Sequence, residues 1–254
     1  MPENDRVKDG ARLKKIIIII CSVLVLVFIA VISYGSCQLL KINADYAKEA
    51  EIYRIVLKYK PEDTHEQVSS HTEIVENQSV IDLKVQYPDA VGWLTIPNAG
   101  VDHPFVQYSD NDYYLYRDIN GTYASAGTIF VDYRCKKDFS SRNTIIYGHH
   151  MKNGSMFGNL SAFSNPNFFN DNKSGTIYLP NDTLMLEFFA YMVIHPGDKE
   201  IYNTVPGDTY FDYLKQNARH YRDIGLTDND RIVTFSTCSY EFNDARMVLL
   251  AKIL

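Results

Sequence analysis

Cysteine is scarce in this chain, with four in 254 residues. Cys21 and Cys37 fall inside a long apolar run, which leaves Cys135 and Cys238 for the polar remainder. Two thiols cannot staple a disulfide-dense scaffold, although a single pairing between them stays open. The clustered Cys/His spacing of a structural zinc site is absent. Positive charge is short as well: 25 Lys+Arg against 31 Asp+Glu gives a net charge of −6. Five basic and three acidic residues give the first 40 residues +2, leaving −8 for the rest. Phosphate binding needs a basic surface, so nucleic acid is a poor candidate partner. There are no internal repeats, and Trp93 is the single tryptophan.

What is abundant near the N-terminus is apolarity. Ile16 to Leu40 carries no charge, and about 20 apolar residues suffice to cross a bilayer. Lys14 and Lys15 precede the run and Lys41 alone follows it, which predicts a cytoplasmic N-terminus and an external C-terminal part. A cleaved signal peptide is the competing reading. The run is long for one, and Tyr34-Gly-Ser-Cys37 is a weak cleavage site. The expected organisation is a cytoplasmic N-terminus (1–15), an uncleaved transmembrane signal anchor (16–40), a juxtamembrane helix and linker (41–78) and an extracytoplasmic domain (79–254). Ile52, Ile55, Val56 and Tyr59 recur at helical spacing before Pro61. Glu62 to Asn77 is polar and reads as a linker with His65 and His71 solvated.

Short strands separated by turn signals follow: Val91–Ile96, Val101–Val106 (where Pro104 suggests an edge or bulge), Thr128–Asp132 and Thr144–Tyr147. Asp82 to Tyr87 reads as a short helical turn, and Tyr-rich Asp110 to Asp118 as a helical turn or loop. Asn159 to Phe169 reads as one or two short helices broken at Pro166. Gly175–Leu179 and Leu184–Ile194 form a hairpin, and Pro206 to His220 an amphipathic helix. About eight short strands with few helices predict a closed or nearly closed β-barrel.

The last two strands frame the most informative stretch, Arg231 to Val248. Alternation places Val233 and Phe235 on one face and Thr234, Ser236 and Cys238 on the other. Asn243-Asp244 is a turn signal, and Arg246 opens the next strand. An antiparallel hairpin would bring thiol and guanidinium together, and a thiol beside a fixed cation is in general the better nucleophile. The plain alternative is that Cys238 is a small buried hydrophobe, as free cysteines often are. Cys135 reads as a free thiol without a role. A second candidate is Asn143 to Met151, a strand that ends at Gly148 and delivers His149 and His150 to a rim, where chemistry tends to sit. One of them paired with a cysteine can act as general acid. A metal site there would need a further ligand that no spacing supplies. His103, His195 and His220 carry no such context.

At this point the chain resembles a known family. Thr234-Phe-Ser-Thr-Cys238, Arg246 eight residues on, and Tyr147-Gly-His-His-Met151 look like a class B sortase, over roughly Val80 to Leu254. The family's usual TLxTC appears with phenylalanine at 235, a position facing away from the cleft. The resemblance implies an eight-stranded sortase-like β-barrel with added short helices, and a cysteine transpeptidase on the outer face of Gram-positive membranes. It implies cleavage of a C-terminal sorting signal of NPQTN or NPxTG type after Thr, through a thioacyl intermediate. Transfer of the protein to an amino group of a lipid II-type cell-wall precursor would follow. By matching position Cys238 is the nucleophile, Arg246 the transition-state stabiliser, and His149, which directly follows Gly148, the acid/base. Ser236 and Thr237 would line the peptide groove. No cofactor or metal is implied. The chain ends without a sorting signal of its own, so it reads as enzyme rather than substrate. Two rivals remain. Papain-like or cell-wall cysteine peptidases place Cys before His, opposite to the order here. A non-catalytic, membrane-anchored binding domain would leave the Cys, His and Arg incidental.

Overall fold

The computed structural model describes residues 3–62, 76–239, 241 and 244–254. His65 and His71, most of the expected linker, and Asn243 of the expected turn lie outside the described residues. The chain forms two units, Met1–Ala50 and Glu51–Leu254. The first belongs to helix α1 (Glu3–Val56), which runs without a break through both the apolar stretch and the expected juxtamembrane helix. By length and composition α1 is apolar enough to cross a membrane.

The second unit is a barrel. Its strands are β1 (Ala90–Ile96), β2 (Val101–Val106), β3 (Ile129–Val131), β4 (Asn143–Tyr147), β5 (Ser174–Leu179), β6 (Asp182–Ile194), β7 (His220–Tyr221), β8 (Ile232–Cys238) and β9 (Arg246–Ile253). Hydrogen bonding runs β5-β1-β2-β3-β4-β8-β9-β6, and a β5–β6 pairing closes the ring of eight. Two-residue β7 pairs with β6 outside the ring. Closure removes the exposed edges that so many short strands would otherwise present. Pro104 sits opposite Trp93 of β1, one residue before β2 begins to pair with β3, so its missing N–H costs no ladder bond there.

The interior is filled by one face of each strand. Leu94, Phe105, Val131, Ile177, Phe188, Val233, Phe235 and Leu249 are buried in it. A second cluster covers Trp93 and Val106 with residues of α2 (Gln78–Gln86) and with Val56. The third packs α4 (Tyr210–Asn217) on the outer faces of β6, β8 and β9 through Tyr210, Leu214, Ile232, Val248 and Leu250. Helix α2 is longer than the expected single turn. Helix α4 is shorter than the expected Pro206–His220, because Ala218 leaves the helical region and His220 opens β7, which pairs with β6. The expected short helices over Asn159–Phe169 are a 3-10 helix (Gly158–Ser164) and α3 (Pro166–Asp171), parted at Pro166, whose missing N–H at the start of α3 has no intrahelical partner to lose.

One partly buried polar cluster ties the start of this unit to the barrel. Asp102 accepts from Trp93 Nε1 at 2.7 Å, Thr95 Oγ1 at 3.2 Å and Lys60 Nζ at 2.6 Å. Next to it the partly buried His103 ring lies 4.9 Å from Tyr53. Burial lowers the His103 pKa to about 4, whereas an unfolded histidine binds its proton from about pH 6.5. Between those values the unfolded chain holds the extra proton, so stability is complete above about pH 6.5 and falls as the pH drops towards 4. Discounted for partial exposure, the loss is about 1–3 kcal/mol. Urea midpoints at pH 7 and 4.5 should therefore differ more for the wild type than for His103→Phe; equal differences would remove His103 from the account.

Candidate active site

Cys238 is the last residue of β8 and Arg246 the first of β9, and the register pairs them directly. Directly opposed residues of an antiparallel pair project to the same face. Cys238 is partly exposed, while Cys135 is buried; both are free thiols. The reversal between them is closed by Ser239 N donating to Ala245 O at 2.7 Å. Asp244 occupies the left-handed region, φ +60°, where a short polar side chain is tolerated better than a branched one. Arg246 Nη1 donates to Asp244 O at 2.9 Å and Ala245 O at 3.2 Å. Nη1 supplies two of the five guanidinium N–H groups, so Nη2 and Nε can still donate to a bound group.

The histidines arrive from the neighbouring strand. Strand β4 runs parallel to β8, and Gly148 N extends that pairing to Ser236 O at 3.2 Å. A Cβ on Gly148 would meet the Phe157 ring at 2.8 Å, so glycine is what lets the chain pass there. His149 Nε2 lies 2.6 Å from Leu115 O, and its ring lies 5.4 Å from Tyr116. His150 Nδ1 lies 2.8 Å from the carbonyl oxygen of Cys238. A carbonyl only accepts, so both ring nitrogens donate. A neutral His149 therefore keeps Nδ1 as its acceptor, with no protein partner among the described residues. His150 is thus in contact with the cysteine's backbone, while His149 is held on the 3-10 turn Tyr113–Tyr116.

Ser236 shares the face of Cys238, and its hydroxyl is 2.9 Å from Tyr202 Oη. Thr237 does not. It is buried, paired with interior Met247, and points into the barrel, because alternate residues of a strand face opposite ways. Beside Ser236 stands Tyr202 instead, in the electrostatic reach of Arg246, with burial raising its own pKa. Tyr202 stacks on Tyr147 at 6.1 Å. Tyr147 Oη donates to Asp132 at 3.0 Å. Asp132 is fully buried and held by Arg134 Nε and Nη2 at 2.9 and 2.8 Å. Burial alone would raise the Asp132 pKa, but the Arg134 fork outweighs it and keeps the carboxyl ionised below its usual range. Arg134 also donates to Tyr202 O at 3.2 Å. Buried Asn143 donates to Ile201 O and Asn203 O at 3.1 and 2.9 Å and accepts from Thr234 Oγ1 at 2.8 Å. These bonds pin the β6–β7 connection across the face that carries the thiol. Sequence reasoning missed Tyr202, Tyr147, Asp132 and Asn143, because nothing in their spacing announces that three separate segments meet. Among the described residues, no cluster of three or more His, Cys, Asp and Glu side chains could hold a metal ion.

A partly exposed thiol facing a guanidinium on one hairpin of a closed barrel is the arrangement of a cysteine acyl-transfer enzyme. Residues 94–254 match the sortase domain family, well over half of the chain. Sortase B of Listeria monocytogenes is 37% identical over 179 residues, covering 68% of this chain and 73% of that one. Sortase B of Staphylococcus aureus is 26% identical over 253 residues, 96% and 98% of the two chains. The crystal structure of Clostridium perfringens sortase B superposes with TM-score 0.65 at 34% identity, over 68% of this chain and 98% of the other. Sortase B from Bacillus anthracis, in complex with AAEK1, gives TM-score 0.69 at 28% identity over 83% and 98%. The chain belongs to the sortase family and, within it, to the class B sortases, which are cysteine transpeptidases.

Proposed function

We propose that this sortase cleaves a C-terminal sorting signal of NPQTN or NPxTG type after its threonine and joins the protein to an amino group of a lipid II-type cell-wall precursor. The observation that carries the reading is the direct pairing of Cys238 with Arg246. In this mechanism the Cys238 thiolate attacks the threonine carbonyl, and the oxyanion is met by N–H groups of Arg246 not used by the turn. The C–N bond then breaks, with His149 giving the Nδ1 proton to the departing amine and leaving a thioacyl enzyme. An incoming amine attacks that carbonyl, neutral His149 takes its proton, and the C–S bond breaks to restore the Cys238 thiolate. The Leu115 carbonyl on Nε2 keeps the ring turned for both steps. Ser236 and Tyr202 line the peptide side of the groove.

The cellular setting proposed with it is residues 1–15 cytoplasmic, 16–40 in the membrane, 41–78 as stalk and linker, and 79–254 outside the cell; the length and apolarity of α1 support it. Wall anchoring is the favoured role. One structural relative, a class B sortase of Streptococcus pyogenes, is described as involved in pilus biogenesis, and pilin joining is the same chemistry with a protein amine.

A second assignment within this reading has its own support: His150, not His149, hydrogen-bonds the Cys238 backbone. The soluble piece from Asn43 onward, incubated with quenched peptides carrying NPQTN, NPxTG and LPxTG cores, separates the two. His149→Ala is expected to lower cleavage about 10²- to 10⁴-fold, with His150→Ala within about tenfold of wild type. The reverse pattern moves the acid/base role to His150. Absence of cleavage in every peptide, with Cys238 inert to alkylation, would favour a binding domain.

A further inference from the structure

The Cys238–Arg246 pair has two flanks, and the fold treats them differently. On the β4 side stand Ser236, Tyr202 and Tyr147. On the other side β9 pairs with β6, and the register sets Ile194 directly against Arg246. Cys238, Arg246 and Ile194 therefore form a row across three strands on one face. With neighbouring strands about 4.8 Å apart, Ile194 lies about 10 Å from the cysteine. At that end of the row opens a pocket of about 430 Å³ between the end of β6, the connection that follows it, and α4.

The pocket's chemistry is two-sided. Met192 and Ile194, both on the site face of β6, give it an apolar floor. Asp198, Tyr213 and Asn217 give it a polar wall. Asp198 Oδ1 accepts from the backbone N–H of Glu200 and of Ile201, both at 3.1 Å, and Oδ2 accepts from Tyr213 Oη at 2.5 Å. A carboxylate offers about four acceptor directions, so one remains for a ligand. Burial and the bond to Asp198 push the Tyr213 pKa up to about 12, so the phenol stays a donor to the Asp198 carboxylate. An apolar floor with an oriented carboxylate suits a primary ammonium on an aliphatic or peptide stem.

We propose that this pocket is the entry site of the acceptor amine, reached from the β6 side while the sorting signal occupies the Tyr202 side. The inference rests on the transpeptidase reading given above. It explains how a second substrate reaches a carbonyl whose other flank is filled. Asp198 concentrates the ammonium, which passes along the row to Cys238. There the ammonium sheds one proton to solvent, its neutral nitrogen forms the new amide bond, the histidine takes the second proton, and the C–S bond breaks to leave the Cys238 thiolate.

The test uses the full chain in detergent with an NPQTN-core peptide and two soluble amines, triglycine and Nα-acetyl-lysine amide, which present an α-amine and a side-chain amine. Hydrolysis without added amine is measured first; its absence in the wild type would mean that the enclosing reading has failed. Asp198→Asn keeps the acceptor for both backbone N–H groups, and Tyr213→Phe removes only the hydroxyl. The expected result is a KM for at least one amine raised about fivefold or more in Asp198→Asn, with hydrolysis within twofold of wild type. Raising the salt should weaken amine use by the wild type and leave Asp198→Asn flat, a response that loss of structure would not produce. The amine whose KM moves identifies the stem. An unchanged KM for both amines, or an equal loss of cleavage with and without amine, overturns the proposal.

Discussion

Replacing Cys238 with alanine is expected to abolish peptide cleavage and transfer, a loss on the order of 10³-fold or more. The variant should stay folded, since Cys238 lies partly exposed at the end of β8 rather than in the interior. Removing it leaves the Val233–Phe235–Leu249 packing untouched. Thiol labelling gives the same test without a substrate. Burial raises the pKa of Cys135, whose sulfur lies 3.5 Å from both Asn143 O and Ile145 N. Iodoacetamide at neutral pH should therefore mark Cys238 well before Cys135. Equal and slow labelling of the two, with activity surviving in Cys238→Ala, would dismiss the thioacyl mechanism.

The second large effect belongs to Arg246. Arg246→Ala is expected to lower kcat/KM about 10²- to 10³-fold, comparable to losing one oxyanion donor, or roughly 3–4 kcal/mol of transition-state stabilisation. Arg246→Lys should recover only part of it. An ammonium keeps the charge but cannot hold the turn carbonyls of Asp244 and Ala245 while presenting a fork to the substrate. Thermal stability should move little in either variant, because the side chain is only partly buried. If Arg246→Lys were as active as wild type, charge alone would account for the role; if Arg246→Ala were, the residue would have no part in catalysis.

Much of this arrangement is legible in the linear chain. Alternation along Ile232 to Cys238 separates the core residues Val233 and Phe235 from the thiol's face, because a strand has a period of two. The cross-strand position of Arg246 follows from the same rule once the intervening residues are read as a turn. The apolar run of α1 is set by composition alone. The same alternation already argues against Thr237 as a groove residue: it neighbours Cys238 in sequence but projects to the opposite face.

What the sequence by itself determined was local: the strands, the hairpin that presents a thiol to a guanidinium, the glycine before two histidines, and the apolar N-terminal helix. Each depends on residues within about a dozen positions of one another. Only the tertiary structure decided that β5 closes on β6, that β4 lies parallel to β8 and so brings His150 to the cysteine's backbone, and that Leu115 holds His149. It also decided that Asn143, Arg134 and Tyr147 hold Tyr202 over the site. These pairings join segments tens of residues apart, and a parallel pair needs a long connection whose path no local periodicity encodes. How deeply the fold buries Asp132, against which the Arg134 fork must act to keep it ionised behind Tyr147, could not be read from the chain either.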